Sequence, residues 1–188
     1  MPAPDTDAEI TRLALAAKAG DRMAAAEFIR ATQHGVYRFL AHLVDAREAE
    51  DLSQETYLRA MRALPRFAAR SSVRTWLLAI ARRVAADHIR AVVRQPRTAA
   101  VDRWPDAEAE ASRFDETVAL TRLLDGLSPE RREAFVATQL LGLSYDEAAE
   151  VCDCPIGTIR SRVARARADL VAAMGADSVE SHRPRAIG

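Results

Sequence analysis

Apolar residues recur at helical spacing in two long stretches of the chain. The first stretch runs from about Asp7 to Arg94 and the second from about Glu116 to Met174, and in both the apolar positions return every three or four residues. Between them, residues 95–115 contain prolines, acids and few large apolar side chains, which is typical of a solvated linker. We therefore predict an all-α protein made of two small helical domains joined by a flexible linker. The predicted segments are a domain over 1–94, the linker over 95–115, a domain over 116–174 and a disordered tail over 175–188.

Composition agrees with helices and says little about partners. Apolar residues make up 49% of the chain and aromatic residues only 5%, so the core is built mainly from Ala, Leu, Val and Ile, and Ala and Leu favour helices. The formal net charge is zero, and because Lys18 is the only lysine nearly all positive charge is arginine. Arginine suits bidentate contacts with phosphate and guanine. A GC-rich coding sequence also produces arginine and alanine, so we take arginine as evidence only where it clusters.

Several kinds of function are disfavoured by what the sequence contains. Cys152 and Cys154 are too close together for an unstrained disulfide and too few for a zinc site. We find no glycine-rich phosphate-binding motif, no HExxH motif and no clustered catalytic residues. No stretch is long enough to span a membrane, and the acids around residues 13–17 argue against a secretory signal. We expect a cytoplasmic protein that is not an enzyme, does not insert into membranes, and uses neither metal nor cofactor.

The first candidate surface is the outer face of a helix predicted over 46–64. Asp45 and Glu48 have capping-box spacing at its start, and Pro65 ends it. Four residues at spacing i, i+3, i+4 and i+7 share its outer face; they are Asp51, Gln54, Glu55 and Leu58. Such a face suits a basic helical partner. An ordinary solvated helix face has the same pattern, and this segment alone favours that interpretation.

The second candidate surface is the stretch 66–94, which holds seven arginines against the single acid Asp87. Phenylalanine, tryptophan and short hydroxyl residues lie between the arginines. Proteins that bind single-stranded DNA combine a positive track for phosphates with aromatic faces or pockets for bases. The alternative is that Phe67 and Trp76 belong to the core and the arginines only keep the surface soluble. The candidate residues for binding are Arg66, Phe67, Arg70, Ser71, Ser72, Arg74, Arg82, Arg83 and Arg90.

The third candidate surface is a helix-turn-helix predicted over 144–167. Ser144 caps the first helix and Glu147 completes its capping box, while small alanines allow the second helix to cross closely. Pro155 suits the first turn of the second helix. The residues expected to meet DNA are Pro155, Thr158, Arg160, Ser161, Arg162, Arg165 and Arg167. A structural helical hairpin with a basic face is the alternative interpretation.

Three blocks of sequence, in series, resemble the extracytoplasmic-function group of sigma-70 factors, particularly actinobacterial members. They are DLSQETYLRAMRALPRF (51–67), SSVRTWLLAIARRVAADHIR (71–90) and LSPERREAFVATQLLGLSYDEAAEVCDCPIGTIRSRVARARADL (127–170). The resemblance covers roughly residues 10–174 and implies a first domain like sigma region 2 and a second like region 4. One departure is Asp153, where family members usually carry glycine; Asp tolerates a left-handed backbone better than most residues do.

The resemblance also implies partners and a mechanism. It implies an alternative sigma factor that binds core RNA polymerase, at the β′ clamp and the β flap, and directs initiation at selected promoters. The helix 46–64 would dock on the β′ clamp. The loop 66–72 would capture a flipped base of the −10 element, the following helix would guide the melted strand, and the helix 155–167 would read the −35 duplex. A cognate anti-sigma factor is a further implied partner.

Two other functions are alternatives to a sigma factor. A stand-alone helix-turn-helix regulator would explain residues 127–170 and leave 45–94 without a role. An enzyme acting on nucleic acid needs clustered carboxylates for a metal, or a nucleophile with a base, and the sequence shows neither.

Overall fold

The computed structural model describes residues 7–94 and 123–180. Within those ranges there is no strand, and the main elements are α1 (Asp7–Lys18), α2 (Arg22–Ala41), α3 (Ala46–Ala63), α4 (Val73–Arg94), α5 (Pro129–Phe135), α6 (Tyr145–Cys152) and α7 (Ile156–Glu180). A 3₁₀ turn, Leu64–Arg66, continues α3, and a π-helical turn, Val136–Leu140, continues α5. The all-α prediction is confirmed. The linker predicted over 95–115 lies outside the described residues.

Helices α1 to α4 pack into one group, called the first domain below. Its centre is formed by Phe28, Phe39 and Leu40 from α2 together with Leu77 from α4, all of them fully buried. Burial of each such side chain contributes roughly 1.5–3 kcal/mol. Helix α3 contributes mostly small residues to this core, so it can pack closely while its opposite face stays free.

Side-chain oxygens cap α2, α3 and α4. Asp21 caps α2 by accepting from the backbone N–H groups of the next turn, and Ser72 Oγ caps α4 by accepting from Thr75 N at 3.1 Å. The capping box predicted at the start of α3 is wrong in its second half. Asp45 accepts from a backbone N–H, but the Glu48 carboxylate instead lies 3.0 Å from His88 Nε2 on α4. The Glu48 side chain therefore lies against a neighbouring helix and not at the start of its own.

Helices α5 to α7 form the second domain, and its centre is a helix-turn-helix. Ser144 and Glu147 make the predicted capping box in full. Asp153 adopts φ 51° and ψ 51°, the left-handed conformation expected where the family carries glycine. Ile159 and Val163 of α7 are buried, as their spacing predicts.

Helix α7 extends past Met174, where the sequence predicts its end, to Glu180. Residues 175–180, which the sequence assigns to the tail, are helical in the structure. Alanines on both sides of Gly175 favour the helix, and no proline interrupts it before residue 184. Residues 181–188 lie outside the described part of the chain. Across 7–94 and 123–180, no helix is both long enough and apolar enough to cross a membrane.

Candidate nucleic-acid and partner interfaces

The outer face of α3 presents the four residues that its spacing predicts together. Asp51 and Gln54 are exposed, Glu55 is partly exposed, and the Leu58 side chain is 55% exposed. Glu55 Oε1 accepts a hydrogen bond from Arg59 Nε at 2.7 Å. An exposed leucine at one end of a row of two acids and an amide gives a face with an apolar group and negative charge, which suits a basic helix.

The loop after α3 has a buried anchor and an exposed rim. Phe67 is only 4% exposed, and its ring centroid lies 5.0 Å from that of Trp76. The Lys18 ammonium donates to the Phe67 carbonyl at 2.7 Å. Phe67 was predicted among the DNA-binding residues, but the structure places its ring in the core, because the ring packs beneath the loop against an aromatic neighbour.

The rim of that loop keeps the polar candidates accessible. Arg66 and Arg70 are exposed, and Ser71 and Ser72 are partly exposed. Ala69 between them has φ 50°, a left-handed conformation that non-glycine residues seldom adopt.

The arginines of α4 divide between two environments. Arg83 and Arg90 are exposed to solvent. Arg74 and Arg82 instead contact the second domain: Arg74 Nη2 donates to the Leu141 carbonyl at 2.5 Å and Arg82 Nε pairs with Glu133 Oε1 at 2.6 Å. The two domains thus touch across α4, and the contact covers two of the predicted DNA-binding arginines.

The Arg82–Glu133 pair is well shielded from water. The Arg82 side chain is 27% exposed and that of Glu133 is 12% exposed. Burial raises the pKa of Glu133, and the hydrogen bond from Arg82 opposes that rise. An additional contact nearby is Thr75 Oγ1, which lies 3.4 Å from Glu147 Oε1. Sequence reasoning did not single out Glu133, since nothing local marks a glutamate whose partner lies 51 residues away.

Both cysteines are free, and they lie close to this contact. Cys152 is buried, and burial raises the pKa of its thiol well above the usual value. Cys154 is partly exposed, and its sulfur lies 3.6 Å from Arg162 Nη1. Within the described ranges, no group of three or more His, Cys, Asp or Glu residues is placed to hold a metal.

The outward face of α7 is strongly basic. Pro155, Arg160, Ser161, Arg165 and Arg167 are exposed, while Thr158 and Arg162 are partly buried. Arg167 donates to the Gln139 side chain at 2.7 Å.

The first acid along α7 does not neutralise that face. Asp169 is paired with Arg131 of α5 at 2.5 Å. The start of α7 therefore offers unneutralised arginines beside a turn, the arrangement by which a recognition helix meets base edges and phosphates.

Comparison with known proteins decides the family. Residues 28–95 match sigma-70 region 2, and residues 117–170 match sigma-70 region 4. The probable RNA polymerase sigma-C factor of Mycobacterium bovis is 54% identical over 169 residues, which cover 88% of this chain and 91% of that protein. The chain belongs to the sigma-70 family of RNA polymerase sigma factors. The extracytoplasmic-function sigma-E factor of Salmonella typhimurium is 32% identical to this sigma factor over 167 residues, covering 79% of this chain and 85% of the relative.

Solved structures support the same assignment for this sigma factor. CnrH in complex with the cytosolic domain of CnrY aligns with a TM-score of 0.72 and 25% identity, covering 90% of this chain and 99% of CnrH. RpoE of Bartonella quintana, in complex with the anti-sigma factor NepR, aligns with a TM-score of 0.61 and 28% identity, covering 76% and 91%. The resemblance to the extracytoplasmic-function group, predicted from three sequence blocks, is confirmed.

Proposed function

We propose that this sigma factor divides its work among three surfaces. The outer face of α3 binds core RNA polymerase, the loop over 66–72 and α4 bind the −10 element as a melted strand, and the start of α7 reads the −35 duplex. The chain itself performs no covalent chemistry, and it acts in the cytoplasm, where polymerase and promoter DNA meet. The observation that carries the proposal is the separation of charge: an acidic face with an exposed leucine lies on α3, and basic faces lie on α4 and α7.

On α3, charge and an exposed apolar group support docking. Asp51, Gln54, Glu55 and Leu58 lie on one face that nothing in the described chain covers. A basic coiled coil of the polymerase, such as the β′ clamp, would complement the acids and cover the leucine. Because charged groups at an interface set orientation and exclude wrong partners, reversing one of them should weaken association.

On the −10 side, each group has a distinct proposed role. Arg66 and Arg70, with Ser71 and Ser72 beside them, form the rim that receives an unstacked base, and the buried Phe67 holds that rim in place. The exposed Arg83 and Arg90 continue as a positive track along α4. Stacking and phosphate contacts of this kind support single-stranded binding.

Arg74 and Arg82 fit this proposal only after a rearrangement. Both are engaged by the second domain, through Leu141 and Glu133. They reach DNA only if the two domains separate, so the contact across α4 competes with DNA. Polymerase, by holding the two domains at the −10 and −35 positions, would keep that contact open. The β flap is the proposed site for the second domain.

On the −35 side, Arg160 and Arg165 are the side chains to test. Both are exposed on α7 and have no hydrogen bond to another part of the described chain. Major-groove reading by a recognition helix uses its early residues for bases, supported by Pro155, Thr158, Ser161 and Arg162, and later ones such as Arg167 for phosphates.

An anti-sigma factor is a further proposed partner. The solved CnrH and RpoE structures are complexes with the cytosolic domain of CnrY and with NepR. We propose that a comparable inhibitor binds this sigma factor and blocks its polymerase surface.

The experiment that tests the proposal compares two variants in promoter-directed transcription and in core binding. We expect Arg160→Ala combined with Arg165→Ala to abolish promoter-specific transcription and to leave core binding intact. We expect Asp51→Arg to weaken competition for core polymerase. Footprinting with and without core separates this function from a stand-alone regulator, which would protect duplex DNA unaided. Loss of core binding in the α7 variant, or undiminished competition by Asp51→Arg, would contradict the assignment of surfaces.

A further inference from the structure

A chain of ion pairs joins the α3 face to the α4 face. Asp87 is the single acid of α4, and each of its carboxylate oxygens has its own arginine. Oδ2 accepts from Arg59 Nη1 of α3 at 2.8 Å, and Oδ1 accepts from Arg90 Nη2 at 2.6 Å. Arg59 also donates through Nε to Glu55 at 2.7 Å. The same guanidinium therefore touches one carboxylate in each of two proposed binding surfaces.

The position of Asp87 on α4 is unfavourable for DNA binding. It lies among the arginines of α4, one helical turn from Arg83 and from Arg90. A carboxylate there repels phosphate and also holds the Arg90 guanidinium that phosphate would use. The hydrogen bond from Arg59 is the largest cause that lowers the pKa of Asp87, and that from Arg90 is the second. Arg59 is thus the main group, outside the DNA-binding track, that neutralises this acid.

Arg59 bonds both Glu55 and Asp87, so these two carboxylates compete for its positive charge. Glu55 belongs to the proposed polymerase-binding face, and a basic partner docking there would draw the Glu55 carboxylate to itself. Arg59 would then pair with Asp87 alone, and Arg90 would be released toward the strand. Polymerase binding on α3 and DNA binding on α4 would in this way favour each other.

We propose that Arg59 is a positioning residue that neutralises Asp87 and so makes Arg90 available to the −10 strand. This rests on the proposed function, because it takes Glu55 as a polymerase contact and Arg90 as a DNA contact. The side chains of Arg59, Asp87 and Arg90 are 40%, 48% and 68% exposed. Exposed ion pairs of this kind are individually weak, so we expect a partial loss of DNA affinity and not a complete one.

The test measures affinity of holoenzyme for fluorescent fork-junction DNA carrying the −10 strand of a promoter that the wild-type holoenzyme transcribes. The variants are Arg59→Gln, Asp87→Asn and the two combined, with Arg30→Gln as a charge-matched control. Arg30 is an exposed arginine of α2 whose side chain bonds a backbone carbonyl of its own helix. We expect Arg59→Gln to bind DNA about three- to tenfold more weakly than wild type. The combined variant should return to within about twofold of wild type, because the uncompensated acid is gone.

Two further measurements distinguish a positioning role of Arg59 from a purely structural one. Arg59→Gln should bind core polymerase at least as tightly as wild type, since Glu55 is left free for its partner, and Arg30→Gln should match wild type in both assays. If Arg59 served only as a structural bridge between α3 and α4, Asp87→Asn would not restore binding, because the bridge would still be missing. That result, or wild-type DNA affinity in Arg59→Gln, or weakened core binding, would overturn the proposal. Failure of the wild-type holoenzyme to bind the −10 strand would instead overturn the proposed function beneath it.

Discussion

The contact between the two domains contains a charge pair that one substitution reverses. Glu133 Oε1 lies 2.6 Å from Arg82 Nε, with side chains 12% and 27% exposed. Glu133→Arg would set two like charges against each other in this shielded position. Glu133 belongs to the second domain and Arg82 to the first. Repulsion between them should therefore shift the equilibrium from touching domains toward separated ones.

The magnitude follows from the geometry. Unit charges about 4 Å apart interact by about 4 kcal/mol at an effective dielectric constant of about 20. The free-energy cost of removing two ions from water offsets much of the electrostatic energy of such a pair. We therefore expect a net shift of about 2 kcal/mol, which is about a 30-fold change in the ratio of touching to separated domains.

Small-angle X-ray scattering on the free protein measures this shift without labels. We expect a larger radius of gyration for Glu133→Arg than for wild type. Glu27→Arg is the charge-matched control, because Glu27 is exposed on α2. Arg82→Gln approaches the same pair from the first domain and should expand the protein in the same direction.

Helix content by circular dichroism separates domain opening from unfolding. An unchanged radius of gyration in both Glu133→Arg and Arg82→Gln, with helix content retained, would refute the reasoning. Equal expansion in the Glu27→Arg control would refute it as well, since added positive charge alone would then be the cause.

Three further predictions concern stability and reactivity. Leu77→Ala should lower the free energy of unfolding by about 3 kcal/mol, because Leu77 is 1% exposed and the substitution leaves a cavity. Leu58→Ala, at an exposed position, should change the free energy of unfolding by under about 0.5 kcal/mol. Chemical denaturation measures both changes, and equal losses would contradict the core described. Burial raises the pKa of Tyr57 to about 12, so its contribution to stability is present below about pH 10 and lost as the pH rises through 12. Titration of tyrosine absorbance should show this late step, and Tyr57→Phe should remove it; a late step that survives the substitution would count against this. A thiol reagent should modify Cys154 in the native protein and reach Cys152 only on unfolding, and prompt modification of both would contradict the burial of Cys152.

The parts of the fold that the sequence predicts well are those that local chemistry determines. The capping box of Ser144 and Glu147 needs only residues three apart, and the buried positions of α7 follow from helical spacing. The left-handed Asp153 was also expected, from a departure at a single position of the family pattern. In each case the interaction lies within one or two helical turns.

The parts that the sequence does not predict depend on distant partners. Glu48 was assigned to a local cap, but it reaches His88 on another helix. The sequence places Phe67 among the candidate DNA-binding residues, whereas in the structure its ring is buried and packs against Trp76. Glu133 has no local signal, because its partner Arg82 comes from another helix. Arg59 has a local partner in Glu55, but its second partner, Asp87, lies on α4 and is not visible in the local pattern. An ion-pair chain that spans two helices is not visible in residue spacing.

Transcription from sigma-free core polymerase of the same host tests the central claim most directly. The protein is added to core enzyme on a library of genomic fragments, and the start sites of the transcripts are mapped. We predict initiation at a defined subset of promoters sharing upstream elements, lost in the Arg160→Ala, Arg165→Ala variant. Random initiation, or selection that persists in that variant, would contradict the division between a domain that engages the polymerase and a domain that reads the duplex.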